Sequence, residues 1–184
     1  MNKMRINVVS RIAKGKDFFE PYLKVIANLK EKNIICEIKF IGQIYDEEIY
    51  TKILDSSKLL NIEELMFFTQ KSIPYTEMTN EENEYYLNLS NGDFVGYSSI
   101  ECLKNGFKTI FLNINSINTV KNEQITFCKN ENELFNLLGK IYLNMNEMNK
   151  IIRQENEELL TKFYLSDMDK QLLLNTFKKI KQLK

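Results

Sequence analysis

Residues 92–113 constrain the fold most strongly, because they place a short helical segment between two short apolar runs. Residues 94–97 and 107–113 have the length and composition of buried strands. Residues 98–104 can form one or two helical turns, ended by Gly106. A strand, a helix and a strand in this order form a βαβ unit with parallel strands. The stretch therefore predicts a parallel sheet, which binds ligands beyond the carboxyl ends of its strands.

The same alternation of strand and helix patterns runs through the first two thirds of the chain. We predict strands at residues 6–10, 34–41, 65–69, 94–97, 107–113 and 124–128. We predict helices at residues 17–32, 46–60, 75–89 and 98–104, followed by helices at 131–146, 147–163 and 167–182. This order indicates an α/β fold, with a doubly wound, Rossmann-like parallel sheet and a C-terminal helical extension. Residues 1–128 would form the sheet domain, and residues 129–184 would pack on it as helices.

Local capping patterns support two of these helices. Asp17 and Glu20 have the spacing of a capping box, and Pro21 falls in the first turn, where its missing N–H costs little. Ser166 and Asp169 have the same spacing at the start of the last predicted helix.

The charge balance excludes several classes of partner. Lys plus Arg and Asp plus Glu number 25 each, and the isoelectric point is about 6.4. Nucleic acids and anionic membranes demand a basic face, so neither is expected as the main partner. No apolar run reaches the length of a membrane span, and the first residues lack the core of a signal peptide. We therefore expect a cytoplasmic protein.

The chain contains no histidine, which limits the chemistry that it can perform. Ser-His and Cys-His catalysis and histidine metal sites are excluded for this chain. Its three cysteines, Cys36, Cys102 and Cys128, lie in apolar runs without metal-like spacing and are expected to be buried thiols. Any reaction must use carboxylates, Lys, Arg, Tyr, Ser or backbone amides.

A basic loop follows the first predicted strand. It contains Arg11, Lys14, Gly15 and Lys16 directly before a helix. Backbone donors and the helix dipole favour an anion at such a position, and glycine allows close approach to the backbone. Arg11 can bind a phosphate with two donors, and a lysine adds a further charge. The alternative is a solvated basic turn in front of a helix.

A second loop, Tyr97 to Glu101, follows the fourth predicted strand. Ser98 as N-cap and Glu101 three residues later match a capping box. The functional alternative is that Ser98, Ser99 and their amides bind phosphate, while Glu101 accepts hydrogen bonds from a sugar diol. The two interpretations are compatible. Together the two loops offer what a nucleotide diphosphate needs, which is positive charge and amides for phosphate and a carboxylate for ribose.

The order of these motifs resembles a known family. A strand is followed by Arg11 and the Lys14-Gly15 pair, and a later run reads Asp-Phe-Val-x-Tyr-Ser-Ser-x-Glu-x-x-x-x-Gly-x-x-Thr-Ile from Asp93. Residues 5–115 are similar in this respect to the C-terminal, donor-binding half of GT-B nucleotide-sugar glycosyltransferases of the group 1 type. The helices after them resemble the C-terminal helices of that fold.

The resemblance implies roles for individual residues. Arg11 and Lys14, with Lys16 as an alternative to Lys14, would neutralise the donor diphosphate and stabilise the leaving group. Glu101 would bind the ribose, and the loop at Lys71 to Pro74 would contact the base through its backbone. No metal and no further cofactor are implied, because the cations do that work. The implied ligand is a nucleotide diphosphate sugar, and the implied activity is glycosyl transfer in surface polysaccharide or glycan biosynthesis.

Two departures from the family keep other functions open. The family often has an acidic residue and a glycine-rich turn before the ribose glutamate, where this chain has Tyr97-Ser98-Ser99-Ile100. An acceptor-binding half is also absent, so we expect that the chain needs an acceptor domain or subunit. The alternatives are a non-catalytic nucleotide-sugar-binding or partner module, and an enzyme like the CDP-donor glycerophosphotransferases, which usually use histidines. The base, the sugar and the acceptor are left open.

Overall fold

The computed structural model describes residues 3–15, 19–90, 97–113, 124–163, 168 and 171–172. Within these residues a parallel sheet has six strands in the order β3-β2-β1-β4-β5-β6. The strands are β1 Met4–Val9, β2 Cys36–Ile41, β3 Met66–Phe68, β4 Glu84–Ser90, β5 Thr109–Asn113 and β6 Phe127–Cys128. The helices are α1 Glu20–Glu31, α2 Glu47–Leu59, α3 Tyr97–Lys104, α4 Glu131–Leu143 and α5 Met145–Phe163. This arrangement confirms the predicted Rossmann-like α/β fold.

The two faces of the sheet differ in chemistry. One face carries apolar side chains such as Ile6, Ile38 and Phe40, and it forms the main core with α1, α2 and α4. The other face carries charged side chains at the amino ends of its strands. There the Arg5 guanidinium lies 2.9 Å from the Glu37 carboxylate and 3.0 Å from the Glu84 carboxylate. Alternation along each strand separates the two sets of side chains.

Helix α1 starts later than the sequence pattern predicts. Its N-cap is Phe19, which makes no side-chain capping hydrogen bond, so the predicted capping box of Asp17 and Glu20 is wrong. In a helix capped by Asp17, residue 21 would have to donate its N–H to the Asp17 carbonyl, and Pro21 has no N–H. Starting the helix at Glu20 places Pro21 in the first turn, where no donor is needed. Asp17 itself lies outside the described residues.

Helix α2 follows the prediction closely. Asp46 is its N-cap, and the Asp46 side chain accepts a hydrogen bond from the Ile49 N–H at 3.1 Å. This local contact satisfies one of the free donors at the helix start.

The largest error of the sequence prediction concerns residues 75–89. The structure has a short 3-10 turn at Tyr75–Glu77 and then strand β4, where a helix was predicted. β4 lies between β1 and β5 and pairs with both, with Asn7 opposite Tyr86. Such a strand is buried on both faces, and its apolar run at residues 85–87 is too short for periodicity to separate a strand from a buried helix.

The βαβ unit predicted in residues 92–113 is therefore present with a different first strand. The strand that leads into α3 is β4, and Tyr97, predicted to end a strand, is the first residue of α3. Residues 94–96 of the predicted strand lie outside the described residues. The second strand, β5, agrees with the prediction apart from its first two residues.

Helix α5 crosses the amino ends of three strands. Asn156 accepts a hydrogen bond from the Thr109 N–H at 2.7 Å and donates one to the Thr109 carbonyl at 2.9 Å. Glu155 accepts from the Thr126 N–H at 2.9 Å, and Asn149 accepts from the Tyr85 hydroxyl at 2.7 Å. The predicted helices 131–146 and 147–163 are confirmed as α4 and α5. Of the helix predicted at 167–182, the described residues 168 and 171–172 are helical, and its predicted Ser166 cap lies outside the described residues.

Candidate functional site at the carboxyl edge of the sheet

The loops that carry the predicted site residues follow the carboxyl ends of β1, β3 and β4. β1 and β4 are neighbours in the sheet, and the strand order reverses between them. In doubly wound sheets the crevice outside the strand ends at such a reversal is the usual ligand site. The fold therefore places the predicted residues of both loops at the same edge.

The basic loop after β1 is held by a short extension of the sheet. Ile12 is buried and forms an isolated parallel bridge with Ile44, in which the Ile12 N–H donates to the Gln43 carbonyl at 3.0 Å. Arg11 and Lys14, on either side of this anchor, are exposed. The bridge thus fixes the backbone of the loop, while the two cationic side chains remain exposed to solvent.

Gly15 continues this loop with a backbone φ of 78°. A Cβ atom added there would meet nothing within 4 Å, so its conformation and not its packing favours glycine. Lys16, the alternative partner of Arg11, lies outside the described residues.

Gly42 fixes how closely the loops after β1 and β2 approach each other. A Cβ atom at this position would lie 2.2 Å from the Ser10 carbonyl oxygen. The Gly42 N–H donates to Thr69 Oγ1 at 3.1 Å, which joins the loop after β2 to the loop after β3. A side chain at Gly42 would therefore displace the start of the basic loop.

The loop after β3 contains the predicted base-contacting segment. Thr69 Oγ1 donates to the Lys71 carbonyl at 2.7 Å, and Gln70 has a positive φ of 55°. Pro74 is exposed and caps the 3-10 turn that starts at Tyr75. The segment from Lys71 to Pro74 is thus held at its start by Thr69 and at its end by the turn.

Helix α3 carries the three remaining predicted residues. Ser98 is the second residue of α3, so its predicted role as N-cap of a capping box is wrong by position. Ser99 is 1% exposed, and its Oγ has no hydrogen-bond partner among the described residues. Glu101 is half-buried and lies 4.0 Å from the Lys104 ammonium group.

The end of α3 agrees with the sequence prediction. Gly106 has a φ of 71°, its N–H donates to the Leu103 carbonyl at 3.0 Å, and the Phe107 N–H donates to the Cys102 carbonyl at 3.0 Å. These bonds close the helix in the way that glycine favours.

Tyr75 brings two of the predicted segments together. Its hydroxyl donates to the Ser98 carbonyl at 3.4 Å. Burial raises the pKa of Tyr75 to about 12, with smaller contributions from Cys102 and the Glu101 carboxylate. Tyr75 was not predicted as a site residue, and its position directly after Pro74 was the available signal. Among the described residues no hydrogen bond or ion pair joins Arg11 or Lys14 to α3.

Two further properties of the described residues bear on function. No group of three or more Cys, Asp or Glu side chains is placed to hold a metal ion in the described part of the chain. Over the same residues, no helix combines the length and apolarity needed to cross a membrane. The three cysteines are buried free thiols, as predicted, and burial raises the pKa of Cys102 to about 12.

Comparison with known proteins gives a clear answer for the fold. No protein-family model and no curated protein sequence matches the chain. In a structure of HepE from Anabaena in complex with UDP and glucose, 49% of that chain aligns with 97% of this one, with a TM-score of 0.73 and 11% identity. Staphylococcus aureus TarM aligns over 36% of its length and 96% of this chain, with a TM-score of 0.71 and 14% identity.

One match is to an isolated domain, and the alignment covers similar shares of both chains. The C-terminal domain of LpcC, a glycosyl transferase group 1 family protein from Francisella tularensis, aligns over 86% of its length and 88% of this chain, with a TM-score of 0.58 and 13% identity. The chain spans about half the length of HepE and about a third of TarM. The chain therefore has the fold of the C-terminal half of GT-B glycosyltransferases, which confirms the predicted resemblance at the level of fold.

Proposed function

We propose that this chain is the donor-binding part of a glycosyltransferase and binds a nucleotide diphosphate sugar at the carboxyl edge of β1 and β4. The observation that carries the proposal is the reversal of strand order there, since the exposed cationic loop follows β1 and α3 comes after β4, the neighbouring strand. The same fold occurs in HepE, whose structures contain UDP or UDP-glucose. This resemblance of fold supports UDP as the first nucleotide to test.

The phosphates would bind between the basic loop and α3. Arg11 offers two parallel donors and Lys14 a single mobile charge, and Gly15 leaves the backbone accessible. At α3, Ser98, Ser99 and the N–H groups of the first turn would meet the anion at the positive end of the helix dipole. The buried Ser99 hydroxyl, which has no partner among the described residues, supports this assignment, because buried polar groups without a partner are rare and costly.

The sugar and base of the nucleotide would lie on either side of these phosphates. Glu101 keeps acceptor positions available, because its Lys104 partner is exposed and 4.0 Å away. A ribose diol can donate to both carboxylate oxygens. The base would contact the backbone of the loop from Lys71 to Pro74, which Thr69 holds in place.

The proposed reaction breaks the bond between the sugar and the diphosphate. Negative charge develops on the leaving diphosphate, and Arg11 and Lys14, with Lys16, would stabilise it without a metal ion. Transfer also needs an acceptor site, which we assign to a separate acceptor-binding domain or subunit. Hexosyl transfer in surface polysaccharide or glycan synthesis, in the cytoplasm, is the process that we propose.

A nucleotide panel tests the proposal. We expect UDP-, GDP- or CDP-sugars to raise the thermal unfolding temperature of the chain, because a ligand that binds only the folded state stabilises it. Arg11→Ala should weaken binding about tenfold, since hydrogen bonds to charged groups contribute about 1.5–3 kcal/mol. Lys32→Ala is the matched control, because Lys32 is exposed at the end of α1, far along the chain from either loop.

The outcomes separate the alternatives. A chain that no nucleotide stabilises would refute the proposed function. Preference for CDP-linked donors would favour the glycerophosphotransferase alternative. Binding with no transfer when an acceptor-binding protein is supplied would favour a non-catalytic module.

A further inference from the structure

The segment that connects β3 to β4 is tied to both sides of the carboxyl edge. At its start, Thr69 Oγ1 accepts a hydrogen bond from the Gly42 N–H, and Gly42 lies against the Ser10 carbonyl beside the basic loop. Six residues later, the Tyr75 hydroxyl donates to the Ser98 carbonyl in the first turn of α3. A continuous series of contacts therefore runs from the end of β1, through the loop after β3, to α3.

The position of Tyr75 is fixed by more than this hydrogen bond. Its ring packs against the buried cluster of Tyr86, Cys102 and Phe107, which lies between the sheet and α3. Pro74 precedes it with an extended backbone, and the Glu77 N–H donates to the Pro74 carbonyl at 2.9 Å. A tyrosine hydroxyl is protonated at neutral pH, and burial raises the pKa of Tyr75 further, so the hydroxyl is a donor.

We propose that Tyr75 is a positioning residue, which sets the spacing between the loop from Lys71 to Pro74 and the start of α3. This inference rests on the proposed function, in which the loop meets the base and α3 meets the phosphates. A nucleotide diphosphate must contact both at once. The hydroxyl-to-carbonyl distance of 3.4 Å is long for an O–H···O bond, so its direct energy is small. Its effect arises from holding two binding elements in register.

This role predicts a selective loss of affinity. A ligand that spans two prearranged elements gains from the high effective concentration of its second contact. Pyrophosphate can contact only the phosphate side and gains nothing from the spacing. Tyr75→Phe should therefore weaken UDP binding about three- to tenfold, because the spacing of the two elements is lost, and leave pyrophosphate binding unchanged.

The experiment measures UDP binding to the whole chain by calorimetry, and pyrophosphate binding by its competition with UDP. Tyr86→Phe is the matched control. The Tyr86 hydroxyl donates to the Thr79 carbonyl at 2.6 Å, so this variant also removes a hydroxyl bond from the same connecting segment. Its bond lies further along that segment, beyond the 3-10 turn at Tyr75–Glu77. We expect Tyr86→Phe to lower the unfolding temperature without changing the ratio of UDP to pyrophosphate affinity.

Each result decides the inference. A lower UDP-to-pyrophosphate affinity ratio in Tyr75→Phe alone supports it. Equal UDP affinity in Tyr75→Phe and wild type overturns the inference and leaves the proposed function intact. An equal loss of affinity for UDP and pyrophosphate also overturns it, because that result would indicate a distorted α3. If the wild-type chain binds no UDP, the proposed function fails for UDP and the inference fails with it.

Discussion

The two ends of the sheet are built in opposite ways. At the amino ends, α5 satisfies the backbone of β5 with the buried Asn156 side chain and that of the residues before β6 with the half-buried Glu155 side chain. At the carboxyl ends, the loops are joined by a few backbone contacts, and Arg11, Lys14 and Pro74 remain exposed. The comparison indicates that stability is concentrated at one end, which leaves the other free to bind a ligand.

Among the described glycines, Gly42 is the one where an added side chain would clash with the backbone. Gly42→Ala should lower the free energy of unfolding by about 3 kcal/mol, because the added Cβ would lie 2.2 Å from a backbone oxygen that cannot move cheaply. Gly139→Ala is the control, since a Cβ there meets nothing within 4 Å and alanine favours helix α4. Urea unfolding measures both variants. Equal stability of Gly42→Ala and wild type would contradict the close approach of the loops after β1 and β2.

Asn156 tests the amino end. Asn156→Ala should lower the free energy of unfolding by about 2 kcal/mol, because it leaves the buried N–H and carbonyl of Thr109 without their partner. UDP affinity should not change, since the amide acts at the opposite end of β5. Asn146→Ala, at an exposed position of the same helix, is the control. A loss of UDP affinity at unchanged stability would contradict the separation of the two ends.

Lys108, just before β5, gives the amino end a pH dependence. Burial, with a smaller effect of Arg153, lowers the pKa of Lys108 to about 8. The unfolded chain therefore binds more protons than the folded one between about pH 8 and pH 10.5, and the contribution of Lys108 to stability rises with pH in this window. Its magnitude between pH 8 and pH 10 is about 2 kcal/mol by linkage.

The variant Lys108→Met isolates this contribution. Between pH 8 and pH 10, the free energy of unfolding of Lys108→Met should rise less, or fall more, than that of wild type. Buried Cys36, whose pKa burial raises, acts in the opposite direction in both proteins and cancels in the comparison. Lys32→Met is the exposed control. Parallel pH curves for Lys108→Met and wild type would show that Lys108 is not titrated in this range.

Glu101 provides the smallest expected effect and the most specific one. Glu101→Gln should weaken UDP binding about fivefold, as expected for the loss of one charged acceptor, with no change in unfolding temperature. The same change at Glu31, exposed at the end of α1, is the control. Because the ribose is the proposed partner, pyrophosphate affinity should be unchanged. An equal loss of pyrophosphate affinity would indicate that Glu101 acts through general electrostatics and does not bind the ribose.

The predictions that succeeded from the sequence rest on local contacts. The range of α2 and the Gly106 end of α3 were predicted, and both are present as expected. The bonds at the end of α3 join residues at most five positions apart. The basic loop also lies where the pattern placed it, directly after β1. Roles of Arg11, Lys14, Gly15, Lys16, Pro74, Ser98, Ser99 and Glu101 in binding remain predictions that the experiments above test.

The predictions that failed rest on distant contacts or on backbone conflicts. Residues 85–87, Tyr-Tyr-Leu, suit a buried helix or a buried strand equally, and pairing with β1, about 80 positions away, decides for a strand. The α1 start was wrong because the missing N–H of Pro21 outweighed the capping pattern before it. Tyr75 as a link to Ser98 could not be recognised, because the two residues are brought together only once β4 is a strand and α3 packs beside it.

By itself, the sequence determined an alternating α/β chain, the cationic loop after the first strand and the end of α3 at Gly106. These depend on periodicity, caps and turns, which act between residues close in the chain. The tertiary structure alone decided which strand lies beside β1, which end of the sheet α5 covers, and that Tyr75 meets α3. Those depend on pairing and packing between distant segments, whose energies become available only when the whole sheet has formed.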